Sequence, residues 1–287
     1  SQVKPGLDFD PVRTRQGRRF MDPAFGTEES SLAHGQRPGN LLRFLDCQRV
    51  LLRDVTISNS PTWTVHFRRC RNLDVRDAWI HSHGSGRRVP NDDGIDLWDC
   101  VDVRIQGCRI ETGDDCVAIF GGESIIVTGS TLSSRSAGIR VGYRGNDIRD
   151  CLFTDLVISD AHRGIGLFVR APGSVENILC ANILIRTRHV TGHWWGAAEP
   201  IHLSAMPLQS GETLGEIRNI VFRNIVAEAG SGIILHGCAQ SRIRNVLLEG
   251  VRLRLRRGPL QEEYGGNIDL RGTSHLDDAL FQLDTPA

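Results

Sequence analysis

Two kinds of short apolar segment alternate along this 287-residue chain, their copies recur mostly every 22 to 30 residues, and no stretch carries sustained helical periodicity. Together these observations predict an all-β fold, a right-handed parallel β-helix (solenoid), because each coil of such a helix needs two or three short strands and stacks on the next. A propeller blade needs four strands in about 40 residues and brings other signatures, so it ranks below.

The first segment type reads apolar-x-apolar-x-x-apolar-x-apolar. It occurs as Val50 to Ile57, Leu73 to Ile80, Val103 to Ile110, Ile125 to Leu132 and Cys151 to Ile158, then as Ile178 to Ile185, Ile220 to Ala227 and Val246 to Leu253. One interval stretches to 42 residues and holds an insertion around Trp194 and Trp195. The second type is a short strand usually led by glycine: Gly94 to Leu97, Cys116 to Ile119, Gly138 to Val141, Gly164 to Leu167, Pro200 to Leu203, Gly232 to Leu235 and Asn267 to Leu270. Period-two alternation puts the second and fourth residues of each inside and the others outside. Residues 41 to 287 are expected to form the β-helix, and residues 1 to 40, rich in Arg, Gly and Pro, an irregular cap or extension.

Composition narrows the partners. Lys plus Arg and Asp plus Glu are both 34, so no net field favours nucleic acid or a membrane surface, and neither is expected as a partner. No apolar run approaches the ~18 residues of a membrane span, and no lipidation motif is present. The first residues, Ser1 to Pro5, carry neither an initiator Met nor a signal-peptide pattern and are read as a trimmed start, which leaves targeting open. The eight cysteines permit two readings, disulfides or buried thiols. Cys47, Cys70 and Cys100 share one register, three residues before their segments begin, which favours an internal ladder of thiols.

Stacked turns lie about 4.8 Å apart, so aligning the glycine-led strands builds the outer surface column by column. The residue before each strand gives Trp63, Asp93, Asp115, Ala137, Arg163 and Glu199; the third strand position gives His66, Asp96, Ala118, Arg140, Gly166 and His202. Carboxylates, arginines and histidines thus converge on one face near the middle turns. Like charges so close resist joint ionisation, so at least one carboxyl is expected to hold its proton at unusually high pH. A protonated carboxyl beside ionised ones is what a glycosidase needs to protonate a leaving oxygen and activate water. A lone Asp in a turn has a plain conformational reason; Asp93, Asp114 and Asp115 together, on neighbouring turns, favour catalysis. No cofactor or metal is expected.

Around these residues the sequence resembles glycoside hydrolase family 28, the polygalacturonase and rhamnogalacturonase family. Asn91-Asp92-Asp93-Gly94-Ile95-Asp96 is similar to its Asn-Thr-Asp-Gly-(Ile/Phe)-Asp motif, with Asp92 in place of Thr. Gly113-Asp114-Asp115-Cys116-Val117-Ala118-Ile119 matches its Asp-Asp-Cys motif, and Asn59-Ser60-Pro61-Thr62-Trp63 its Asn-Ser-Pro-x-Trp turn. The resemblance implies an inverting hydrolase of pectin-like or other acidic saccharides, with Asp114 as general acid and Asp93 and Asp115 holding the attacking water. It also implies secretion or periplasmic export. The sequence departs from the family elsewhere: Ala137 stands where its active-site His lies, Gly166 and Phe168 stand for its Arg and Lys, and His202 follows Pro200-Ile201 where a Tyr is usual.

Replacement contacts to the sugar are sought on the same face. Arg140, Arg163 and Arg170 are candidates to fork a substrate carboxylate, against the plain reading of solvated surface arginines. Trp194 and Trp195 suit either a sugar platform or packing against the coil. Glu199 suits a fourth acid or an orienting partner of His202; His66 and His202 are further binding candidates. Two other functions stay open: a uronide lyase or epimerase recruiting His66, His202 and Arg140, and a non-catalytic carbohydrate-binding coil. An ultraviolet-absorbing product separates the first from hydrolysis; binding that survives Asp114→Asn marks the second.

Overall fold

The computed structural model describes residues 39–81, 91–143, 145–190, 195–207, 212–256 and 258. Among these every regular element is a strand, and the strands wind as a right-handed parallel β-helix. The strand expected at Asn267 to Leu270, nearly all of the expected cap, and Trp194 lie outside the described residues.

One sheet has eight strands, one per turn: Leu42–Leu45, Val65–Arg68, Ile95–Trp98, Val117–Ile119, Ala137–Tyr143, Arg163–Val169, Ile201–Ala205 and Ile234–His236. The last six are the expected glycine-led strands, side by side in sequence order, and two further strands precede them. The register is the one the columns require: His66 pairs with Asp96, Asp96 with Ala118, Ala118 with Arg140, Arg140 with Gly166 and Gly166 with His202. The first segment type builds the remaining sheet, which bends through two faces.

The bends follow from residue chemistry. Positive φ recurs at stacked positions, as at Asp150 (57°), Asn177 (55°), Asn219 (57°) and Asn245 (52°). Asn and Asp tolerate this left-handed conformation better than other side-chain-bearing residues. Their side chains also tie the turns together: Asn177 donates Nδ2–H to Asp150 Oδ1, Asn219 to Asn177 and Asn245 to Asn219, each at 3.0 Å. Asn177 and Asn219 are thus turn and ladder residues.

Inside the coil, alternate residues of the eight-stranded sheet stack as apolar ladders, for example Phe67, Leu97, Ile119, Val141, Leu167 and Leu203, all fully buried. All eight cysteines are free. Cys70 and Cys100 are fully buried, and the Cys47 amide donates to Cys70 Sγ. Burial pushes the Cys100 thiol up to about 11 and Cys151 to about 12, so these are inert protonated rungs.

The glycines that lead these strands have a steric reason. A Cβ on Gly94 would lie 2.5 Å from the Cys116 carbonyl oxygen of the next turn and 2.5 Å from Ile110 Cγ2. Only a residue without Cβ lets the turns close there, and that closure sets Asp93 and Asp115 on adjoining rungs.

Candidate active site

The main-chain bonds that stack the turns bring the acids together. The Gly94 amide donates to the Asp115 carbonyl at 2.9 Å, and the Cys116 amide to the Ala137 carbonyl at 3.0 Å. One carboxyl oxygen each from Asp93, Asp114 and Asp115 lies within 4.8 Å of the other two, and all three residues are only 3% exposed.

Asp114 is supported on several sides. Its Oδ2 accepts from the Asn91 backbone amide at 3.0 Å and from the Trp195 indole N–H at 3.2 Å; its Oδ1 accepts from the Asp115 amide at 3.0 Å. Its own amide donates to Asp92 Oδ1 at 2.7 Å. Burial, then the charge of Asp115, and further Asp92, push the Asp114 carboxyl up to about 7, against the Asn91 hydrogen bond and Arg140. Asp93 is raised well above the carboxylate range by burial and by repulsion from Asp96, Asp114 and Asp115. Burial likewise raises Asp96, which is fully buried on the same strand. This corner therefore holds its protons to higher pH than ordinary carboxyls do.

Asp115 sits in a different setting. Its Oδ1 accepts from Ser136 Oγ at 2.9 Å and the Ala137 amide at 3.1 Å, while Arg140 Nε donates to Oδ2. Arg140 Nη2 also lies 3.9 Å from Asp93 Oδ2, Nη1 donates to the Gly142 carbonyl at 2.9 Å, and the guanidinium rests 4.2 Å from the Phe120 ring centroid. The guanidinium that sequence reasoning offers to a substrate carboxylate is thus engaged by the protein's own acids.

A second cluster lies two and three turns on from Asp115, beyond the rung of Ala137. Arg163 Nε donates to Glu199 Oε1 at 2.5 Å, and His202 Nδ1 lies 2.9 Å from the same oxygen, with all three residues buried. Burial opposes the Glu199 charge, but Arg163 and His202 outweigh it and hold this carboxyl well below its usual range. It is ionised, the state of an orienting partner rather than of a proton donor. Burial lowers His202 to about 4, so its ring is neutral, donating from Nδ1 to Glu199 and leaving Nε2 as an acceptor.

The space where a side chain on Gly166 would lie is taken. A Cβ there would meet Phe168 Cε2 at 2.5 Å and Arg163 Cδ at 3.0 Å. Arg163 lies 4.9 Å from the Phe168 ring centroid, and the His202 ring packs edge-on against it at 5.0 Å.

The remaining candidates fall further out. Arg170 is buried against the Ser204 carbonyl (2.8 Å) and hydroxyl (3.1 Å), at the far end of its strand from the acids. His66, one rung before Asp96, accepts from Asn40 Nδ2 at 3.0 Å and packs edge-on against Trp63. Burial, with Arg43 and Arg68, lowers it to about 4. Trp195 is 7% exposed and turns its N–H to Asp114 rather than offering an open ring face. Sequence reasoning missed the supports: the Asn91 amide, Ser136 and Phe120. Asn91 opens the Asn-Asp-Asp motif read above, but nothing in the sequence pairs its amide with Asp114 or singles out Phe120.

A parallel β-helix with buried, partly protonated carboxyls on one outer face defines a solenoid bearing an acid–base site. The sequence matches the profile of "Glycosyl hydrolases family 28" over residues 15–262, and the chain belongs to that family. Endopolygalacturonase A of Aspergillus niger is 32% identical over 134 residues, which are 44% of this chain and 36% of the fungal protein. A probable polygalacturonase of Arabidopsis thaliana is 35% identical over 113 residues, 39% of this chain and 24% of the plant protein. The matches thus span well under half of these curated relatives. Among solved structures, the polygalacturonase from Erwinia carotovora superposes with a TM-score of 0.59 at 18% identity, covering 75% of this chain and 56% of that one. Endopolygalacturonase I from Stereum purpureum, solved with two galacturonates, gives 0.56 at 14%, covering 82% and 75%. At these identities the structures speak for the fold alone.

Proposed function

We propose that this chain is an inverting hydrolase of an acidic, pectin-type saccharide, with Asp114 as general acid and Asp93 and Asp115 holding the attacking water. The observation that carries the proposal is Asp114 itself. Its carboxyl, pushed up to about 7, lies within 4.8 Å of two others, one of them ion-paired to Arg140. An acid that stays protonated beside a charged neighbour can protonate a glycosidic oxygen while the neighbour polarises water. Oxygens up to 4.8 Å apart can both reach one water at about 2.8 Å, which suits a bridging water between Asp93 and Asp115.

The same distance is shorter than the roughly 6.5–9.5 Å usual between inverting carboxyl pairs. The stereochemistry is therefore a direct test: proton NMR of the first-formed product should show the inverted anomer. Retention would move one of the three acids into the role of nucleophile. A screen of pectic and other acidic oligosaccharides with reducing-end detection tests hydrolysis itself, and an ultraviolet-absorbing unsaturated product would instead identify a lyase.

Substrate contacts are proposed from the second cluster. Arg163 keeps Nη2 buried without a hydrogen-bond partner, and His202 likewise keeps Nε2. A buried guanidinium N–H suits a sugar carboxylate and a bare imidazole nitrogen suits a hydroxyl, with Glu199 fixing both.

A further inference from the structure

More neutral donors surround Asp114 than Asp115. Asp114 accepts from Asn91, Trp195 and the Asp115 amide; Asp115 accepts from Ser136, the Ala137 amide and Arg140. Neutral donors taken alone would therefore place the anion on Asp114 and the proton on Asp115. Charge points the other way. A full cation touches Asp115 and reaches Asp93 at 3.9 Å, while Asp114 faces anionic neighbours, Asp92 and Asp115. An opposite charge within about 4–6 Å favours a carboxylate by roughly 1–3 pH units, and the neighbouring carboxyls Asp92 and Asp115 disfavour a charge on Asp114.

We infer that Arg140 is a positioning residue for catalysis: it holds Asp115 as the anion and so leaves the proton of the pair on Asp114. The inference rests on the acid and base roles proposed above. The sequence offers Arg140 to the substrate; the structure engages all three of its nitrogens within the protein, at Asp115, Asp93 and the Gly142 carbonyl, and lays its plane against Phe120. The side chain is 11% exposed, too little for an open carboxylate fork. Other charged groups on flanking rungs are Asp96 and His66 on one side and Arg163, paired with Ala137, on the other. Of these cations, the one bonded to Asp115 is Arg140; Arg163 is bonded to Glu199.

The test compares Arg140→Met, Arg140→Lys and Ser136→Ala with wild type by two readouts. The first is the pH profile of kcat/KM. In Arg140→Met the acidic limb should move up by about 1–3 pH units with a fall in kcat, whereas Arg140→Lys should restore much of the position. Ser136→Ala removes a neutral donor from the same carboxylate and should move the limb less. The second readout needs no turnover: carbon-13 titration of labelled Asp carboxyls. Arg140→Met should show a carboxyl titrating at higher pH that disappears in the Arg140→Met, Asp115→Asn double variant. A rise in KM with unmoved limbs and unchanged titrations would make Arg140 a substrate contact and overturn the inference. Equal shifts in Ser136→Ala and Arg140→Met would also overturn it. Wild-type protein that cleaves no saccharide would sink the hydrolase assignment, while the titrations would still decide what Arg140 does to Asp115.

Discussion

Asp114 is the proposed general acid, and its surroundings give its titration a sign. The native state keeps a proton that an ordinary carboxyl, near 3.8, releases on unfolding, so stability falls as pH rises from about 4 to about 7. Asp114→Asn removes that cost. The variant should be more stable than wild type above pH 7 in urea titrations and gain nothing near pH 3. Its turnover should drop by about 10²–10⁴, the contribution of a positioned general acid; unchanged turnover would rule out the assignment. Trp195 tests the same carboxyl from the other side. Its N–H favours the ionised acid, so Trp195→Phe should move the alkaline limb of kcat/KM to higher pH. A raised KM with an unmoved limb would instead return Trp195 to the role of sugar platform.

At the scale of elements, the site depends on how closely turns can approach. Gly94 joins Asp93 to the strand carrying Asp96, and a Cβ there would strike the backbone oxygen of the next turn. Gly94→Ala should cost about 1–3 kcal/mol, as overpacked positions do, read as a lower urea midpoint, and should weaken catalysis by parting the acids. Gly232 offers the contrast, with nothing within 4 Å of its Cβ position. Gly232→Ala should leave stability level or slightly raise it through the unfolded chain. If the two substitutions cost the same, steric closure is not what the glycines serve. The asparagine ladder does comparable work at the bends, where left-handed backbone and a side-chain amide on each turn coincide.

Across the whole molecule, the acids and the Arg163–Glu199–His202 cluster lie along one sheet with the rung of Ala137 and Arg140 between them, a linear arrangement suited to the linear saccharide proposed as substrate. The rungs that carry cations in the family's motif carry Gly166 and Phe168 here, and Arg163 is drawn across Gly166 to Glu199. A uronate carboxylate buried without its accustomed partners costs several kcal/mol. Unsubstituted polygalacturonan should therefore be a poor substrate beside one with a neutral or differently placed acidic sugar at that subsite. Arg163→Ala should lower activity on the acidic substrate more than on a neutral analogue. Efficient cleavage of plain polygalacturonan, undiminished in Arg163→Ala, would refute this reading of the subsite.

The solenoid, its register and the acidic triad were legible in the residues alone. The reason is physical: in a β-helix, one residue's place on its strand dictates its neighbours on the turns before and after, so aligning Gly94, Cys116, Gly138, Gly164 and Pro200 already stacks Asp93 beside Asp115. The thiol ladder was legible for the same reason. Tertiary structure alone decided how the long side chains are spent. Arg140, Arg163 and Trp195 each reach several ångströms from their backbone, across columns, and the partner each one meets depends on burial and competing charge. Column position cannot encode that, which is why a guanidinium facing outward in the sequence pattern turns inward to Asp115, and a tryptophan in an insertion points its N–H at the acid.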